Sequence, residues 1–157
     1  MQYRGLTSGQ KNDIISMKRI QNRNRFGITA ISDERFNNLT IEARKHGALI
    51  LRGGAEVEKH LDAMQADASV IGDVILFRQD VCLSEVLEET HHFMQNLQGL
   101  NDSKEEPLRT ILNEIDAKQY LLDNAQKFSI PRSETELTQE QLKFYKEKLT
   151  EFLGGEG

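Results

Sequence analysis

Cysteine occurs once in the 157 residues, at Cys82, so no disulfide can form within the chain and no cysteine-based zinc site can be built. Tryptophan is absent and aromatics reach only 6%. No apolar run approaches the ~20 residues that cross a bilayer, so a soluble protein without membrane contact is expected. Residues 1–10 are polar, so no signal peptide is expected. Internal repeats and low-complexity linkers are lacking too. The length suffices for one compact domain with a core and is too short for two, so residues 1–157 read as a single domain.

Charge is present but unevenly spread. Residues 1–60 hold eleven Lys/Arg against six Asp/Glu, and residues 61–157 hold nine against nineteen, within a net charge of -5. The basic run Lys18, Arg19, Arg23, Arg25 has the chemistry to touch phosphate, which keeps a nucleic-acid-associated protein in view. The overall acidity opposes the electrostatics that drive such binding, so nucleic acid is not the expected partner.

The pattern of apolar positions predicts helices around a small strand pair. Thr7 and Gln10 have capping-box spacing and open a helix over 7–24 that Gly27 ends. Ser32 starts a second helix through Phe36, Leu39, Ile41 and Ala43, stopped at His46-Gly47. Residues 48–52 form a short strand, 55–64 a helix, and 70–77 (VIGDVILF) a second, β-branched strand. Asp80 is placed to cap the helix that follows, which extends to Gln98 with Gly99 as its left-handed stop. Pro107 sits at the first turn of a long helix reaching about Lys127, and Ser129-Ile130-Pro131 breaks it. Thr138 and Gln141 repeat the capping-box spacing ahead of a last amphipathic helix with Leu142, Tyr145, Leu149, Phe152 and Leu153. The fold class is therefore α+β, mostly helical.

The chemistry concentrates on the helix before Gln98, in Glu88-Glu89-Thr90-His91-His92 and Gln95. With ~100° of rotation per residue and Glu88 at zero, His92 falls at about 40°, Glu89 at about 100°, Gln95 at about 340° and His91 at about 300°. One arc is polar; the opposite one carries Leu83, Val86, Leu87, Phe93, Met94 and Leu97, enough to press the helix onto a core. Ligands at i and i+4 share a face, with the residue at i+1 beside the space between them.

A second carboxylate stands in Asn113-Glu114-Ile115-Asp116-Ala117. On its helix Glu114 lies among Ile111, Ile115, Leu121 and Leu122, where an ionised carboxylate is costly unless paired, hydrogen-bonded or bound to metal. Lys118, one turn along, is one such partner and accounts for Glu114 without any metal. Asp116 points to the other side. Glu85, His91 and Gln95 taken singly read as solvated helix-face residues, His46 and His60 as helix-end surface residues, and Cys82 as a small apolar packing group.

Glu88-Glu89-x-x-His92 and Asn113-Glu114-x-x-Ala117 are similar to the HExxH and NExxA elements of the glutamate-type zinc peptidases. They resemble more closely the small zincin-like metallopeptidase domains found at the ends of bacterial polymorphic toxins and in phage-related proteins. There a strand precedes an EELxH..Q helix, and a NEIEAQ..L helix follows. The resemblance covers residues 70–153, a minimal zincin-like core with a small sheet packed on the active-site helix; residues 1–60 match nothing of that pattern.

The resemblance implies Glu88, His92 and Glu114 as metal ligands, Glu89 as the general base, and His91 and Gln95 as outer-sphere or oxyanion groups. Glu88 stands where the pattern has histidine. A set of two carboxylates and one imidazole suits Zn²⁺ while making Mn²⁺ or Fe²⁺ more plausible, and it weakens the Lewis acidity that activates water. The implied function is hydrolysis of peptide bonds in a peptide or protein substrate, as a toxin effector with a cognate immunity protein or as a processing enzyme. Such a protein is either cytoplasmic or exported within a larger toxin system. Two alternatives stand beside it: a zincin-like interaction module without activity, and a nucleic-acid-associated protein using the basic helix at its start.

Overall fold

The computed structural model describes residues 26–154. The helix expected over 7–24 and the basic run Lys18, Arg19, Arg23, Arg25 lie outside the described residues. The chain passes through α1 (Asp33–Leu39), α2 (Ile41–Lys45), β1 (Leu49–Arg52), α3 (Ala55–Met64), β2 (Ala68–Ile71), β3 (Val74–Phe77), α4 (Leu83–Gln98), α5 (Leu108–Asp123) and α6 (Arg132–Gly154). This is the mostly helical α+β class that the patterning predicts.

Ser32 caps α1 as expected, its hydroxyl accepting from the Arg35 N–H at 3.2 Å. The helix does not continue to His46. Thr40 interrupts it, turning its hydroxyl onto the Phe36 carbonyl at 2.9 Å, so that α1 and α2 are separate short helices.

The stretch 70–77 is two strands rather than one. Gly72, at φ +59, turns the chain between β2 and β3, which pair antiparallel with Ile71 opposite Val74. A β-branched, apolar run carries no mark of where it folds back except the Gly-Asp pair within it. The sheet therefore has three strands in the order β1-β3-β2, with β1 parallel to the central β3. Ile75, Leu76 and Phe77 are buried on β3, and the ring of Phe36 meets Phe77 edge-on at 5.3 Å.

Val86, Leu87 and Phe93 press α4 into the same core, which α5 extends with Leu121. The N-terminus of α4 is capped differently from expectation. Cys82, not Asp80, is the capping residue, and Glu85 reaches back to accept its N–H at 3.0 Å. Glu134 of α6, 2% exposed, accepts the Ser84 N–H at 2.8 Å. Two carboxylates thus satisfy donors at a helix N-terminus, where the helix dipole favours negative charge. Gly99 ends α4 at φ +70.

Two later boundaries also move. α5 stops at Asp123, where turns take over as far as Ser129, instead of reaching Lys127. α6 begins at Arg132, which makes Thr138 an interior residue bonded to the Glu134 carbonyl rather than a cap. Among the described residues no helix is long and apolar enough to cross a membrane.

Candidate metal centre

Two antiparallel-connected helices, α4 and α5, bring the predicted residues together. From α4, one ligand-type atom each of Glu88, Glu89 and His92 lies within 4.8 Å of the others. From α5, Glu114 places Oε1 3.2 Å from Nε2 of His92. Glu88, Glu89 and His92 thus form one cluster, and Glu114 joins it through His92.

The orientation of His92 is set by Gln95. The side-chain amide of Gln95 donates to the Asn113 carbonyl at 2.9 Å and to Asp116 Oδ2 at 2.8 Å. Both neighbours are acceptors, so the amide nitrogen must face them and Oε1 must face His92. That oxygen lies 2.7 Å from Nδ1 of His92, which makes Nδ1 the N–H donor. In the neutral ring the lone pair then sits on Nε2. This atom is buried and has no hydrogen-bond partner; Glu114 is near it but outside hydrogen-bonding geometry.

Once Nε2 gives up the proton it carries in the charged ring, its lone pair suits a metal ion. Ligands ~2.1 Å from a tetrahedral ion lie ~3.4 Å from one another, close to the His92–Glu114 separation of 3.2 Å. Fixing the non-ligating nitrogen through a second residue is the usual support of a metal-bound histidine. The donor set, two or three carboxylates and an imidazole, is compatible with Zn²⁺, Mn²⁺ or Fe²⁺.

Lys118 of α5 shares the centre. Its side chain is 6% exposed, its ammonium bonds Glu88 Oε1, and Glu114 Oε2 stands 3.3 Å away. The pairing with Glu114 at i+4 is visible in the sequence. The bond to Glu88 is not, because it depends on how α5 is rotated against α4.

Electrostatics follow from this crowding. Burial, reinforced by Glu88, pushes the Glu89 carboxyl up to about 8. Burial acts to lower the His92 pKa, but the contact with Glu114 and its charge outweigh it and raise it to about 9. Burial acts to raise Glu114; its contact with His92 and the charge of Lys118 prevail and hold it at about 2. Burial likewise acts to lower Lys118, whereas the charges of Glu88 and Glu114 drive it above the ordinary lysine range. Without metal the cluster thus carries protons on Glu89 and His92 near neutrality.

His91 is turned away from the centre, with Nε2 2.8 Å from Asp116 Oδ2 and the ring stacked on Tyr120 at 4.2 Å. Asp116, expected to point elsewhere and to need no partner, instead joins His91 and Gln95. Gln95 supports the histidine rather than a ligand carboxylate.

Two clefts meet at the acids. One, of about 380 Å³, contains Glu88, Lys118 and Tyr145; the other, of about 320 Å³, runs along Ala68, Ser69 and Val70 of β2 to His92. Glu89 and Glu114 line both. A wider groove of about 590 Å³ beside Leu122 and Leu142 shares no lining residue with either.

No protein-family model matches the chain, and comparison with curated proteins and with solved structures found no match.

Proposed function

We propose that this domain is a zincin-like hydrolase that binds one divalent metal ion and cleaves peptide bonds. The reading is supported above all by the buried Nε2 of His92, presented by Gln95 and left without a hydrogen bond beside Glu114. His92, Glu114 and Glu88 would hold the ion, Zn²⁺ first, with Mn²⁺ and Fe²⁺ as the harder-ligand alternatives. When bound, such an ion supplies Lewis acidity toward a peptide carbonyl and toward water.

The residues around it have separate tasks. Glu89, one position along the helix from Glu88, accepts a proton from the attacking water and returns it to the departing amine. The ion's charge favours the ionised form of Glu89 that this step requires. Gln95 keeps the His92 ring in the ligating tautomer, and Asp116 with His91 braces Gln95. The cleft along β2 offers an extended peptide room beside Glu89. A toxin effector or a processing enzyme is the role that fits this activity.

A second reading draws on Lys118. An ammonium bonded to Glu88 and close to Glu114 offsets part of the charge of the ligand carboxylates, as a metal-free interaction module would require. Metal content separates the two. Protein from metal-replete medium is expected to retain Zn, Mn or Fe, and Glu114→Ala to lose it; Glu89→Gln keeps the metal and loses peptide hydrolysis. Metal-free parent protein that cannot be loaded sinks the hydrolase.

A further inference from the structure

The centre contains a cation of its own. Lys118 projects from α5 with its side chain 6% exposed, bonds Glu88 across the helix interface and stands 3.3 Å from Glu114. In the metal reading these are the two carboxylates an ion would take. An ammonium and a divalent ion cannot both hold the same oxygens at close range, since like charges a few ångströms apart in a partly buried site repel strongly.

We infer that Lys118 is a tethered counter-ion that competes with the metal ion for Glu88, lowering the affinity of the centre while keeping it assembled when no ion is bound. This rests on the metal reading above.

Three observations carry it. Glu88 and Glu114 meet beside His92, and buried carboxylates of one sign destabilise a fold unless compensated; Lys118 is the cation that compensates Glu88. Many small metal-binding domains fold only when the metal arrives. Lysine also has the means to leave. Its stem is flexible, unlike the planar fork of arginine. The Tyr145 ring lies 6.0 Å from its nitrogen, at the limit of cation–π attraction, in the same cleft of about 380 Å³. An ion entering at His92 can therefore displace the ammonium from Glu88 toward that ring without unfolding either helix.

The test is a Zn²⁺ titration of the full-length, metal-free protein by chelator competition, with thermal melts in parallel. Lys118→Met is expected to bind Zn²⁺ tighter by on the order of tenfold or more, the scale of effects from groups just outside a metal's ligands. It should melt lower than the parent without metal and gain more from Zn²⁺. The double variant Lys118→Met/Glu88→Gln loses that gain. Lys118→Arg, which keeps the charge and remains testable should Lys118→Met not fold, binds no tighter than the parent. A parent that binds Zn²⁺ normally beside a Lys118→Met variant that binds no tighter overturns the inference alone, as does a gain in Lys118→Arg. If neither parent nor variants take up Zn²⁺, the metal reading falls and this inference falls with it.

Discussion

Oε1 of Gln95 lies 2.7 Å from Nδ1 of His92, one turn of α4 away, while the amide nitrogen of the same glutamine is bonded twice to α5. One side chain thereby locks the tautomer of a histidine and ties together the two helices that form the centre.

Gln95→Ala removes both functions. The Asn113 carbonyl and the Nδ1–H of His92 lose their partner in a half-buried setting, which costs about 1–3 kcal/mol. Zn²⁺ affinity is expected to fall by about 10–100-fold as the ring loses its fixed orientation. Chelator competition and a thermal melt measure the two effects, and an unchanged Zn²⁺ affinity would contradict the tautomer argument.

Glu134→Ala tests the capping of α4 from α6. Its carboxylate accepts the Ser84 N–H at 2.8 Å with the residue 2% exposed, so truncation orphans a buried donor. A loss of about 1–3 kcal/mol, a few degrees in Tm, is expected. Denaturant unfolding checks it; a change below the noise would mean that the donor finds another partner.

Stability of the metal-free domain should fall as pH rises. His92, raised to about 9, contributes fully below its unfolded pKa near 6.5 and loses that contribution as pH passes through about 9. Glu89, raised to about 8, favours the native state when protonated, and this preference is lost between roughly 4.5 and about 8. Glu114 behaves oppositely. Held at about 2, it stabilises above roughly 4.5 and ceases to do so in strong acid. Melts of the metal-free protein from pH 5 to pH 9 should therefore decline by several degrees, and Glu89→Gln should flatten the part below pH 8. A Tm that rises over that range in the parent would refute the assignment.

Metal uptake at pH 7 should expel protons. His92 must surrender the proton on Nε2 to ligate, and Glu89 must ionise to act as a base, so release of about two protons is expected. Titration calorimetry with Zn²⁺ in buffers of different ionisation enthalpy counts them. Binding without proton release would separate the ion from His92.

Much of the centre was legible in the sequence because one helix fixes it. Glu88, Glu89, His92 and Gln95 share α4, and a period of 3.6 alone puts them side by side. Glu114 was legible for a different reason, as a carboxylate among apolar neighbours. The bonds that cross between helices were not. Lys118 to Glu88, Asp116 to Gln95 and Glu134 to Ser84 depend on the rotation and offset of packed helices, which no single-helix periodicity encodes. Among the fold elements, α3 falls at 55–64 as expected, and Gly99 stops α4. The hairpin inside 70–77 was missed because a buried strand and two short paired ones share the same residue types, and only Gly72 separates them.

His92 and the three carboxylates around it come from α4 and α5, neighbours in the chain joined by the stretch 99–107. Bringing them into register closes only a short loop, and the entropic cost of closure grows slowly with length but is smallest for such local pairs. The helical hairpin brings these side chains together through contacts between its own two helices. Its chemistry is thus portable: sequence upstream of the hairpin can diverge or be exchanged while the pair of helices carries its complement of side chains intact.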